Sequence, residues 1–215
     1  MSNLTSLIEK VSLLQHQANK KKELPIHKDN VFNKEASKII SELGEINIIL
    51  SRISAEAGNS NKTSELKLDI KSLHLFGFIF VESVIYFLRI FFPEVKNIEF
   101  ESLGRFLKSV DDHRKEQNGE FIDFLNRKET SVRNLNYQLR EYRGLVSHEK
   151  RSTTEWTFTD PRFPMTGSMI VNVPWCEDRE FHEIRSLAPA QFVDLVTKEI
   201  GEIFDYLNIF LSKNN

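Results

Sequence analysis

The feature that most constrains the fold of this chain is an apolar run of 20 residues, at positions 73–92. A helix of this length and composition could cross a bilayer. The run also contains His74, Glu82 and Arg89, and a charge at the centre of a bilayer costs about 2.5–3.5 kcal/mol. The sequence therefore predicts the central helix of a folded protein, buried on nearly all sides, rather than a membrane span.

Apolar residues three or four positions apart predict further helices before this run. One such stripe covers residues 4–18 and a second covers residues 32–53, and Pro25 breaks the chain between them. The apolar run itself belongs to a third helix, at about residues 65–92, for which Ser64 is the expected N-cap. The second stripe is typical of a long antiparallel helix pair.

The same spacing continues after the run. It predicts a shorter helix at residues 100–113 and, beyond a break at Asn118-Gly119, a long helix that reaches about Val146. A last helix is expected to begin near Pro189, since proline favours the first turn of a helix.

Between the last two helices the pattern changes. Residues 153–159 alternate in polarity and residues 169–173 form a second strand-like run, which together predict a β-hairpin. The fold class is therefore all-α: an up-and-down helical bundle with a small β-hairpin insertion, at about residues 152–186, before the last helix. We expect one domain over residues 1–215, in which residues 1–57 form a semi-separate helical hairpin and residues 64–215 form the bundle.

Composition limits the functional classes. The formal net charge of −2 excludes a globally basic nucleic-acid binder, so that any polyanion must be held by a local patch. The single cysteine, Cys176, cannot form an internal disulfide and is typical of a reducing compartment. The N-terminus lacks the basic and apolar regions of a signal peptide. These observations predict a cytoplasmic location.

One short motif combines two groups suited to a single reaction. Arg143 and His148 lie five positions apart at the end of the long helix before the insertion. Arginine is a permanent cation and histidine titrates near neutrality, so that together they can hold a phosphate and move a proton. On an ideal helix the two side chains would lie about 140° apart around the axis. They converge only where the helix bends or ends, or where a second subunit supplies the missing partner.

The motif and its place in the bundle resemble the HEPN superfamily. Its members have an Arg, four to six intervening residues and a His late in an up-and-down helical bundle; this chain has four intervening residues. Many members are metal-independent endoribonucleases of toxin, antiviral and RNA-processing systems that pair their motifs across a dimer. The resemblance covers residues 64–215. Many members have a polar residue directly after the Arg, where this chain has Gly144, and one toxin subgroup has a modified Tyr where this chain has Lys150.

The resemblance implies a role for each motif residue. Arg143 would hold the scissile phosphate, and His148 would act as general acid or base while the ribose 2′-hydroxyl attacks. No metal or cofactor is implied. The expected partners are single-stranded RNA, a second copy of the chain, and an antitoxin or regulatory protein, in a toxin–antitoxin or antiviral defence context.

Supporting residues are predicted around the motif. Glu82 lies in the most apolar helix and therefore needs a partner, either the motif or, preferably, a neighbouring helix. Tyr142 and Ser147 flank the motif residues. Seven basic and three acidic residues lie between Arg127 and Arg151, an excess that an RNA-facing groove requires and that a solvated helix face also explains. The candidate RNA-binding residues are Arg133, Arg140, Lys150 and Arg151.

Two other functional interpretations remain open. Gly144 and the near-neutral total charge also fit a catalytically inactive HEPN-like module that binds RNA, nucleotide or protein. The stripes on the first two helices also fit a purely structural protein, because such surfaces join subunits.

Overall fold

The computed structural model describes residues 3–20, 31–56, 63–147, 173–176, 184–187 and 189–213. This part of the chain is predominantly helical, which confirms the all-α prediction. Its elements are α1 (Asn3–Lys20), α2 (Val31–Glu56), α3 (Thr63–Phe91), α4 (Leu103–His113), α5 (Gly119–Ser147), β1 (Val173–Cys176), β2 (Ile184–Leu187) and α6 (Pro189–Lys213).

Helices α2 and α3 form an antiparallel pair, as the spacing of the second stripe predicted. At one end the Phe32 and Phe91 ring centroids are 6.0 Å apart. At the other end the Arg52 Nε atom donates to Asp69 Oδ2 at 3.1 Å. The apolar seam of α2 thus faces α3 along its length.

Helix α6 runs parallel to both α1 and α3. Its early residue Phe192 stacks on His74 of α3, and its late residue Phe210 meets Phe91 of the same helix. Lys10 of α1 forms an ion pair with Asp205 at 2.6 Å. Because α6 contacts α1, α2, α3 and α5, it lies at the centre of the helical bundle.

Helix α5 runs antiparallel to α6. Lys128 donates to Glu202 at 2.9 Å, and the hydroxyl of Tyr206, in the last third of α6, donates to Asp123 at 3.1 Å. Phe121 also meets Phe92 just beyond α3. Hence α5 begins beside the end of α3, and its last turns extend toward the beginning of α6.

One apolar core joins all six helices. It includes buried residues from α1 and α2 as well as from the later helices, so the two N-terminal helices share their core with the rest of the bundle. In α4 the four residues expected to face inward are all buried: Leu103, Phe106, Leu107 and Val110. In α2, the spacing of the apolar stripe, with steps of four and three from Ile46 to Leu50 and Ile53, predicts Leu50 as a core residue. The structure instead buries Ile49, and Leu50 is only partly buried.

Two helix boundaries differ from the prediction. Helix α4 begins at Leu103 rather than near Phe100, because the Ser102 hydroxyl caps it by accepting from the Arg105 N–H. Helix α3 begins at Thr63, which places Ser64 in the first turn rather than before it.

Helix α3 contains the apolar run. The stretch Leu68–Phe91 has the length and composition of a membrane span, and 61% of its apolar 18-residue window is buried inside the structure. Burial on this scale is expected of a helix packed in a core. The helix is not buried on nearly all sides as predicted, however, because Leu68, Leu75, Ile79 and Tyr86 are exposed on one side of it.

The two strands lie between α5 and α6. They pair antiparallel, with Val173 opposite Leu187 and Cys176 opposite Ile184, and the sheet contacts both flanking helices. The strands predicted at residues 153–159 and 169–173 fall outside the described residues, apart from Val173.

Candidate functional site

Helix α5 carries the first residue of the motif. It is helical through Gly144 and up to Ser147, so that Arg143 lies in its last turns. His148 is outside the described residues. Because α5 and α6 are antiparallel, the backbone of Arg143 lies toward the end of the bundle where α6 begins.

The other residues predicted near the motif divide in the same way. The backbones of Arg140, Tyr142 and Ser147 belong to the last two turns of α5. Lys150 and Arg151 lie outside the described residues. Whether Arg143 and His148, the proposed general acid or base, lie close together therefore stays a prediction.

Arg133 belongs to a network of charges within the protein. Its Nε atom donates to Glu129 at 2.8 Å and its Nη1 atom to Asp111 at 3.3 Å. Arg114 also pairs with Glu129, and it donates to Asn126 at 3.0 Å. The guanidinium of Arg133 is thus already bound by two carboxylates, and this contact competes with its predicted role in binding RNA.

Two further cations of the basic segment are paired with acids. Arg127 donates to Asp123 at 3.0 Å, and this hydrogen bond lowers the pKa of the Asp123 carboxyl. Lys128 donates to Glu202, which lowers the pKa of that carboxyl. A positive surface for RNA would therefore depend on the cations that follow Arg133 in the segment.

Glu82 is half-buried on α3. It lies in the same helical row as Ile79 and Tyr86, which are both exposed, and so at the solvent side of α3 rather than in the middle of the core. The predicted pairing of Glu82 with Arg143 or His148 stays a prediction, because the structure does not describe the side chains of these two residues.

The structure draws attention to one residue that the sequence analysis named only as a polar member of the apolar run. His74 is buried on α3, and its ring stacks on Phe192 with centroids 4.1 Å apart. Burial lowers the pKa of this imidazole well below its usual value, so it is neutral at pH 7. In the sequence, His74 could be recognised only as a single histidine inside an apolar run, and this pattern fits an ordinary packed core residue equally well.

A surface groove lies at the opposite end of α5. Its cavity of about 500 Å³ is lined by Phe91–Asn97 and Glu116–Phe121. Since α5 rises about 1.5 Å per residue, Gly119 at this groove is about 36 Å from Arg143. The groove is therefore remote from the motif.

Comparison of the chain with protein-family models, with curated proteins and with solved structures gives no match. The resemblance to HEPN domains stays a prediction, made from the motif and from the order of the helices.

Proposed function

We propose that this protein is a metal-independent endoribonuclease of HEPN type that cleaves single-stranded RNA at a composite site between two subunits. The observation that carries the proposal is the placement of the motif. Arg143 lies in the last turns of a long helix, and His148 follows that helix directly in the chain. The final amphipathic helix, α6, comes after the motif, as in the HEPN superfamily.

The proposed reaction divides between the two motif residues. One imidazole accepts the proton of the ribose 2′-hydroxyl while the 2′-oxygen attacks phosphorus, and a protonated imidazole delivers a proton to the departing 5′-oxygen. The Arg143 guanidinium neutralises the charge that develops on the phosphate. The products are a 2′,3′-cyclic phosphate and a 5′-hydroxyl.

Two subunits account for these roles better than one. Positions five apart on an ideal helix are separated by about 140° around the axis, so that one chain does not readily direct both groups at one phosphate. A two-fold axis near the motif supplies two guanidinium groups and two imidazoles to a common cleft. Glu82, Tyr142 and Ser147 are the residues proposed to support the cleft. A toxin or defence role, with an antitoxin or regulator that controls cleavage, belongs to the same proposal.

The test is cleavage of single-stranded RNA by purified protein in the presence of EDTA. We expect His148→Ala and Arg143→Ala each to reduce the rate about 10²- to 10⁴-fold, the range for a lost acid–base or charge-stabilising group. His113→Ala is the matched control, because this partly exposed histidine interacts with Glu116 on the α4 side of the bundle. Equal cleavage by wild type and His148→Ala would overturn the assignment.

The second candidate function is binding of RNA or nucleotide without cleavage. The specific observations that favour it are Gly144 within the motif and the pairing of Arg127, Lys128 and Arg133 with acids. In that case RNA would bind without being cut, and both added salt and Arg143→Ala would weaken binding.

A further inference from the structure

Helix α3 has a row of solvent-facing residues that its own core does not use. The row begins at position 65 and continues to position 89 with alternating steps of three and four residues, and none of its members is buried. We call this row the α3 seam. It consists of Glu65, Leu68, Ser72, Leu75, Ile79, Glu82, Tyr86 and Arg89.

The α3 seam concentrates the exposed apolar surface of the protein. Of the eight large hydrophobic residues exposed in the described part of the chain, four belong to the seam. Leu68 is 64% exposed and Leu75 is 52% exposed. The other four are distributed over α1, α2 and α6. A continuous apolar row of this kind marks an interaction site, whereas single exposed hydrophobic residues are ordinary.

The spacing of the α3 seam is that of a coiled-coil interface. Alternating steps of three and four keep every member on one side of a helix that pairs with another helix. Steps of this kind continue over about 36 Å of helix, from the first member to the last. Since α2, α5 and α6 pack against α3, and no described helix lies on the seam, the seam can accept one additional helix.

The order of residue types along the α3 seam is suited to antiparallel pairing with a second copy of the same helix. A second α3 that runs antiparallel, with the two-fold axis at the level of Gly77, places each charged end and each apolar member opposite a chemically suitable partner. Opposite charges meet at both ends and apolar residues meet apolar residues, while Ser72, whose hydroxyl donates to the Leu68 carbonyl, lies opposite Glu82. The pairs are Glu65 with Arg89, Leu68 with Tyr86, Ser72 with Glu82, and Leu75 with Ile79.

Other arrangements lack this match. In a parallel pair with the same register, Glu65 would face Glu65, Glu82 would face Glu82 and Arg89 would face Arg89, and like charges repel. A lipid surface is a poor occupant as well, because helices that bind membranes are rich in basic residues, and the seam has one cation and two carboxylates. Its charges therefore complement a second copy of the chain.

We infer that two copies of this protein associate through the α3 seam, in an antiparallel pair centred at the level of Gly77. The inference goes beyond the proposed function, because it uses neither the motif nor RNA; the two proposals share one residue, Glu82. A contact made by one helix from each subunit is small for a stable interface, so we expect a dissociation constant in the micromolar range.

The first test is the mass of the full-length chain, measured by sedimentation velocity over a range of concentrations without RNA. We expect a monomer–dimer equilibrium for wild type and a monomer for the double variant L75K/I79K. Ile48→Lys is the matched control, since Ile48 is 59% exposed on α2 and lies outside the seam. A wild type that is monomeric throughout would overturn both this inference and the composite cleft of the proposed function, whereas a dimer that L75K/I79K leaves intact would overturn the seam alone.

The second test reverses charges at the ends of the seam. Glu65→Arg and Arg89→Glu should each weaken the dimer about tenfold, because each single change places like charges together twice. The double variant E65R/R89E restores opposite charges only in the antiparallel pair, and we expect it to dimerise like wild type. Circular dichroism confirms that each variant is folded. Failure of the double variant to regain dimerisation would contradict the antiparallel register.

The third test is disulfide cross-linking in a C176A background. The antiparallel pair places position 68 of one chain beside position 86 of the other, whereas equivalent positions are about 27 Å apart along the axis. A mixture of L68C and Y86C chains should therefore cross-link, and either chain alone should not.

Two results would assign the seam to another occupant. If wild type is monomeric but floats with lipid vesicles, and L75K/I79K does not float, the seam binds lipid and the inference fails. Cross-linking of L68C chains alone would show a parallel pair. We expect loss of RNA cleavage in His148→Ala to leave the seam dimer unaffected, so that the role of His148 and the seam are tested separately.

Discussion

The two sides of α3 have similar apolar composition but different surroundings. One side, with Phe80 and Phe87, is fully buried among the other helices, whereas the other side, with Leu68 and Leu75, is exposed to solvent. Phe87 meets Phe32 of α2 and Phe204 of α6, while no contact of this kind covers the seam in the described residues. Hydrophobicity alone thus does not tell a core face from a face that is free to bind another molecule.

The two sides should differ most in how much the removal of a large side chain lowers the free energy of unfolding. Phe87→Ala should lower the free energy of unfolding by about 3–5 kcal/mol, because it leaves a cavity between three helices. Leu75→Ala, on the seam, should change it by less than about 0.5 kcal/mol. Urea denaturation at a concentration low enough for the monomer measures both values. Equal effects would mean that the seam belongs to the core.

The hydroxyl groups on the two sides offer a second comparison. Ser83 donates to Glu42 at 2.8 Å, and both residues are buried; burial raises the pKa of the Glu42 carboxyl. We expect Ser83→Ala to cost about 1–3 kcal/mol, because a buried carboxyl then loses its donor.

Ser72→Ala is the control for this substitution. The Ser72 hydroxyl donates only to the Leu68 carbonyl of its own helix, at 2.8 Å, among the described contacts. Its unfolding free energy in the monomer should match that of wild type, as thermal melts would show. A cost as large as that of Ser83→Ala would contradict the difference between the two sides.

The buried side of α3 should also make stability depend on pH. The pKa of His74 is lowered in the folded state, so below about pH 6.5 the unfolded chain binds a proton that the folded chain does not. Stability attributable to this residue is full above that pH and decreases as the pH falls. His74→Phe keeps an aromatic ring against Phe192 and should flatten the curve, measured by urea denaturation between pH 5 and pH 8. Identical pH profiles would show that His74 does not titrate on unfolding.

Replacing glycines by alanine should change the free energy of unfolding least among these substitutions. An added Cβ at Gly77 would lie 3.3 Å from the Phe192 ring, whereas at Gly44 of α2 nothing lies within 4 Å. Alanine in the middle of a helix is favoured over glycine by about 0.5–1 kcal/mol. We therefore expect Gly44→Ala to stabilise the protein by about that amount, and Gly77→Ala to gain less because Phe192 must move. A larger gain at Gly77 would show that the packing there is loose.

The sequence predicted the helices and most of their buried faces, because a spacing of three and four residues is a local property of a helix. Ile49 and Leu50 show the limit of this reasoning, since adjacent apolar residues compete for one position and only the neighbouring helix decides between them. Of the candidate site, the sequence supplied the motif and its helix. The catalytic geometry stays a prediction, because it depends on His148 and on a second subunit.

The amino-acid order by itself therefore determined the number and the extent of the long helices, since backbone hydrogen bonds and side-chain periodicity act over a few residues. Contacts between distant positions were decided only by the tertiary structure. Arg133 pairs with Asp111 from 22 positions away, and His74 stacks on Phe192 of the last helix. Which apolar side of α3 stays in solvent was decided in the same way, because burial depends on which helices pack beside it.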